Sequence, residues 1–292
     1  MVDFRYHALS LVAVFLALGI GILLGATIGD SIVTEADKNL RSSLRQDVVE
    51  ARAEARRAAG GLRGRDRLIE SVLPQLTGGR LANRRVALVA IGGLPGDVDS
   101  SVREAVDTAG GELDSRSVLA VPGDLDELGE AVGGAFGRIE ETDDGDLTER
   151  LGRRIGRSLA RGGAAARRLE EERSERFRGD FDGADAVVLY RSPPDTPGDE
   201  DADARTRARA RRAFEQGLVD GLKAGGGPVA GVEESGTEPS QIRFFADRDL
   251  STVDNVDGPG GRLALVLVLD GAEGSFGYKE TAETPLPDAP QR

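Results

Sequence analysis

Few side chains in this chain can do chemistry. One histidine (His7), one methionine (Met1) and no cysteine stand beside 51 acidic residues and 38 Lys plus Arg. Nucleophilic catalysis of the Ser-His-Asp or Cys-His kind needs an imidazole beside the nucleophile. His7 sits at the edge of an apolar run, so no such site is expected in the polar remainder, and neither a GxSxG elbow nor an HExxH pair occurs. Soft and borderline metals take thiolate, thioether or imidazole ligands. The carboxylates left here suit hard cations, and pairs such as Asp254 and Asp257 arise by chance at this acidity. The chain is therefore expected to be no enzyme and to carry no cofactor, with metal ligands unassigned. Gly92-Gly-Leu-Pro-Gly-Asp97 brings glycines to a helix start, where free N–H groups can hold phosphate. It matches neither GxGxxG nor GxxxxGK[ST] and reads as an ordinary strand-to-helix turn.

The net charge of −13 repels phosphate backbones, and no basic patch with interleaved aromatics is visible, so nucleic acid is not an expected partner. Without cysteine no disulfide supports the fold. At 4% aromatics, the core must be built from Val, Leu, Ile and Ala.

The elements that carry these residues begin with an uncharged run, residues 8–28. As a helix it reaches roughly 30 Å, enough to span a bilayer's hydrocarbon core. It is longer than the apolar core of a cleaved signal and lacks a strongly basic head, so it is read as an uncleaved transmembrane helix. Arg5 precedes the span while Asp30, Glu35 and Asp37 follow it, which puts residues 1–7 in the cytoplasm and the bulk of the chain outside the cell membrane. Gly21, Gly25 and Gly29 recur every four residues. Either they form a helix-packing face for self-association or they reflect the abundance of glycine in membrane helices.

Residues 33–76 are expected to form a helical, coiled-coil-like stalk. Its apolar positions Leu40, Ala51 and Leu62 are spaced by eleven, as are Val48 and Ala59, the repeat of a straight or slightly right-handed bundle. Gly60, Gly61 and Gly64 should loosen it, and residues 77–80 read as a hinge. The expected partners are membrane lipid and further copies of the chain, a homo-oligomer held through the transmembrane and stalk helices.

Residues 82–280 are expected to form an α/β domain. Residues 85–91 and 184–190 are unalternating apolar runs of strand length, as in strands covered on both faces. Helical spacing follows the first from Val98 to Ala109, and a second strand is expected near residues 118–121. Residues 124–180 read as helices and loops with few buried positions, and 191–203 as a mobile acidic loop. A helix with Phe214, Leu218 and Leu222 on one face leads into a strand at 228–232. The alternation predicts a Rossmann-like, mostly parallel sheet. Residues 263–269 fit a strand or a buried helix equally, and the tail, 281–292, is expected to be disordered.

Several segments carry a family resemblance. The opening Asp3-Phe4-Arg5-Tyr6-His7 with its apolar continuation, Glu-Pro-Ser-Gln at 238–241, Ser251-Thr252-Val253-Asp254-Asn255-Val256-Asp257, and the Gly-x-Gly-Tyr-Lys-like end at 274–279 follow in order along the whole chain. They closely resemble the actinobacterial copper transporter family typified by mycobacterial copper transport protein B. The resemblance implies a single-pass cell-envelope protein of copper efflux and homeostasis, acting as an oligomeric membrane or channel component. The residues themselves offer copper only Met1 and His7, so any role for the ion is indirect. A lone helix cannot enclose a polar path, so a pore would need several copies or a partner. The alternative is an envelope scaffold whose stalk and α/β head assemble partners without transporting copper. The Asp3–His7 box reads as an interfacial anchor, with Arg5 and Tyr6 at headgroup level, in preference to a cytosolic contact. The Asp254–Asp257 segment either lines a ligand cleft or caps the next element.

Overall fold

The fold is given by a computed structural model that describes residues 4–137, 144–194 and 202–287. Residues 1–3, 138–143, 195–201 and 288–292 lie outside it, as do the side chains of 4–5 and 26–42. The chain separates into two units, Met1–Arg65 and Asp66–Arg292.

The first unit is helical. Helix α1 runs unbroken from Phe4 to Thr77, ending inside the second unit. Gly60, Gly61 and Gly64 do not break it. A Cβ at any of the three would meet nothing, so no packing contact requires glycine there, and each lowers helix propensity. Tyr6–Gly25 is long and apolar enough to cross a membrane, and no part of it is covered by the chain. Leu44, Val48, Val49 and Leu62 further along are also exposed.

The second unit begins with the last turns of α1. Leu73 is buried against Leu263 and Leu267, Glu70 pairs with Arg262 at 2.8 Å, and the helix stops at Gly78 and Gly79, where the expected hinge lies. Then follow β1 (Arg85–Ile91), α2 (Gly96–Thr108), β2 (Glu112–Leu119), α3 (Leu125–Val132), a short 3-10 turn (Gly134–Phe136), α4 (Gly145–Arg161) and α5 (Ala164–Glu172). They are succeeded by β3 (Phe177–Gly179), β4 (Ala186–Arg191), α6 (Ala202–Lys223), β5 (Val229–Val232), α7 (Ile242–Ala246), β6 (Ser251–Val253), α8 (Pro259–Leu269) and β7 (Ser275–Phe276).

The sheet order is β3-β2-β1-β4-β5-β6-β7, parallel throughout except for β3 against β2 at one edge. Each inner strand feeds both faces. In β1, Ala87, Val89 and Ile91 join one core with α3 to α7, while Val86, Leu88 and Ala90 join the other with α2 and α8. This explains the unalternating apolar runs, because side chains of period two are buried on both sides.

Several expectations change. Residues 124–180 hold a large share of one core, including Leu128, Leu151, Ile155, Leu159 and Leu169. Their helical period is diluted by arginines on the opposite faces. The run at 263–269 lies in a wholly buried helix, α8, started by Pro259 at its first turn. Arg191, expected in the acidic loop, ends β4 and is buried, while 195–201 of that loop lie outside the described residues. In the expected tail, Glu283 N–H donates to Ser275 O at 2.8 Å and Thr284 bridges Phe276.

Helices α4 and α6 meet at unusually close range. A Cβ on Gly152 or Gly156 would lie 2.2 or 2.3 Å from the carbonyl of Phe214 or Leu218, and one on Gly217 or Gly221 would lie 1.8 or 2.3 Å from that of Glu149 or Arg153. Two Gly-x-x-x-Gly pairs thus let the backbones touch.

Candidate functional site

In open parallel sheets ligands bind beyond the carboxyl ends of the strands, near the point where strand order reverses. Here the chain steps from β1 to β2 and then returns to the other side of β1 with β4. Charged residues follow the ends of β4, β5 and β6, and all are buried: Arg191, Glu233 and Asp254.

A buried charge persists only when it is matched by an ion pair or by hydrogen bonds: Arg191 and Glu233 have ion-pair partners, and Asp254 is held by backbone N–H groups. Arg191 makes a bidentate fork to Glu215, 3.0 Å to Oε1 and 2.9 Å to Oε2, and Arg211 adds a bond to Oε1 at 2.7 Å. Arg191 Nη1 also donates to Gln241 Oε1, and its guanidinium lies 4.2 Å from the Phe244 ring centroid. Glu233 accepts from Lys279 Nζ at 2.6 Å, from Ser240 Oγ at 2.9 Å and from Gln241 N–H. Asp254 accepts the N–H groups of Tyr278 at 2.9 Å and Lys279 at 2.7 Å. That close turn needs Gly277, where a Cβ would fall 1.8 Å from Asp254 Oδ1.

Asp257 holds the loop after β5 by accepting Ser235 N–H at 2.7 Å and Ser235 Oγ–H at 2.6 Å. Beside it an open pocket of about 500 Å³ is lined by Tyr190, Pro193, Glu234, Thr237, Glu238 and Asp257, among others. Among the described residues no cationic side chain lines it. Burial raises the Glu234 carboxyl above its ordinary range, and the charges of Asp257 and Asp97 add to that. Burial and Glu234 likewise raise the Tyr190 phenol. The pocket is electronegative and favours cations over anions. Among the described residues, no group of three or more His, Cys, Asp or Glu is gathered closely enough to hold a metal ion.

In the strand-to-helix loop Gly92–Asp97 the first two amides are bonded internally. Gly92 N–H donates to Leu119 O at 2.8 Å and Gly93 N–H to Ser192 Oγ at 3.0 Å.

The residues singled out from sequence fall into two groups. Ser251, Thr252 and Val253 form β6, tied to β7 by the Thr252–Ser275 hydroxyl contact at 2.7 Å. Asp254, Asn255, Val256 and Asp257 fold over the loop after β5, with Val256 N–H donating to Glu233 O at 3.1 Å. Tyr6 and His7 are exposed on α1, Phe4 and Arg5 lie in the same helix, and Asp3 is outside the described residues. Gly21 and Gly25 have nothing within 4 Å of an added Cβ, and Gly29 continues the helix. Sequence reasoning missed Arg191, Glu215 and Glu233, whose partners are distant in the chain.

Segments 238–241, 251–257 and 274–279, far apart in sequence, thus converge on one edge of the sheet through Gln241, Asp254 and Lys279. No curated protein matches the chain. The sequence model of the family described as copper transport outer membrane protein, MctB, matches residues 1–287. With nearly its whole length matched, and with one apolar helix beside a mostly parallel α/β sheet, the chain belongs to the MctB family of copper transport proteins.

Proposed function

We propose that this chain is a non-enzymatic, single-pass envelope protein that takes part in copper efflux as an oligomeric membrane component. The observation that carries the reading is the exposure of unit Met1–Arg65. Leu11, Phe15, Leu18 and Ile22 face outward in the candidate span, and Leu44, Val48 and Leu62 do so beyond it. Lipid suits the first set. The second set suits another helix, which supports a coiled-coil-like stalk joining copies. One apolar helix cannot wall a polar path, so a channel would be formed by several copies or with a partner. The charge bias about the span supports a cytoplasmic N-terminus with the α/β domain, Rossmann-like in its reversed strand order, outside.

Copper's part is indirect on this reading, with the acidic pocket beside Glu234 offering weak attraction and no closed ligand set. The want of such a set among the described residues also favours a second reading, an envelope scaffold. Deleting the gene separates the two. Copper hypersensitivity with raised cell copper, restored by the full chain, supports the first. Normal copper handling with altered envelope or division supports the second.

A further inference from the structure

A second cavity, unrelated to the copper reading, opens on the sheet face covered by α3, α4 and α5. Helix α4 places Arg150, Arg153, Arg154 and Arg157 at i, i+3, i+4 and i+7, on one face. Leu151, Ile155 and Leu159 on the other side fill the core. The arginine face, joined by Arg168 of α5, lines a pocket of about 460 Å³.

Like charges so placed repel unless matched. Arg153 is matched by Asp220 at 3.0 Å and by Glu149, and Arg168 Nη1 donates to Ala131 O at 2.8 Å. Among the described residues, no carboxylate pairs with Arg150, Arg154 or Arg157.

An independent feature meets them in the same wall. Helix α5 starts at Gly163 with no side-chain cap. Ser158 Oγ accepts Ala166 N–H at 3.0 Å, which leaves the N–H groups of Ala164 and Ala165 in the lining without a protein acceptor among the described residues. Three exposed guanidinium groups without a carboxylate partner and two helix-start residues share the lining of this pocket, donors of the kind that a multiply charged oxyanion takes. Guanidinium geometry matches phosphate bidentately, and a helix start adds further donors. The volume is that of a small-molecule site. Phe136 and Val132 supply an apolar wall for an organic body. The chain's overall charge of −13 disfavours a long polyanion, so the ligand is small.

We propose that this pocket binds a small phosphate or diphosphate ester. The test is calorimetric titration of pyrophosphate into the full chain held in phosphatidylcholine discs at low salt. Saturable binding with a Kd below about 100 μM is expected. R154A/R157A should weaken it by at least about tenfold with an unchanged melting temperature, while R103A, on a distant helix, should leave it intact. Four results would overturn the assignment: no saturable binding up to about 5 mM, equal loss in R103A, citrate binding as tightly as pyrophosphate, or binding that requires phosphatidic acid in the discs, which would make the ligand a lipid headgroup.

Discussion

Glu233, Glu215 and Asp254 show how this fold tolerates charge at its core. Each carboxylate accepts several donors: those of Glu233 and Asp254 come from loops, and those of Glu215 from Arg191 at the end of β4 and Arg211 one turn back in α6. Glu234 is the exception beside them, since burial raises its carboxyl and its acidic neighbours Asp257 and Asp97 add to that. A folded-state pKa raised above the unfolded value stabilises the fold fully below the ordinary carboxyl range, and that contribution is lost as pH rises through the raised value. E234Q removes this loss. Its thermal melt should coincide with wild type near pH 4 and lie above it at pH 7.5, by up to about 0.5 kcal/mol. Equal melts at both pH values would show that Glu234 is relieved by solvent. The residues Ser251 to Asp257 were legible because the resemblance marks them as a block. Their pairing with the segment 274–279 was not, because Lys279 lies 25 residues from Asp254 and no local pattern joins them. The arginine stripe of α4 stands in the sequence at helical spacing, but a net charge of −13 averages over the chain and carries no trace of a local cluster.

At the scale of elements, the contact of α4 with α6 carries the most specific demand. The groups that a Cβ would strike are backbone carbonyls, which cannot rotate aside. G217A should therefore force the helices apart and lower stability by about 3 kcal/mol. G145A, where nothing lies within 4 Å, should be near neutral in the same unfolding experiment. Comparable losses in both would mean that intrinsic helix propensity, not contact, sets the effect. Inner strands β1, β4 and β5 were legible from their apolar runs, whereas β3, β6 and β7 have three, three and two residues, too few to show a period. The run 263–269 of helix α8 is apolar on every side because it is buried on every side, so it carried no periodicity to distinguish helix from strand.

For the whole molecule, the family's description names an outer membrane, where spanning proteins are closed antiparallel barrels with alternating strands. The sheet here is open and mostly parallel, with helices on both faces, so the α/β domain supplies no membrane wall. What the chain offers a bilayer is the exposed helix Tyr6–Gly25. On the proposed function, its part in copper handling depends on how many such helices stand together. The most direct measurement is the copy number of the labelled full chain in lipid discs, counted by single-molecule photobleaching. More than one bleaching step per disc, at protein densities where chance co-occupancy is negligible, is the predicted result. A single step in essentially every disc would contradict the account.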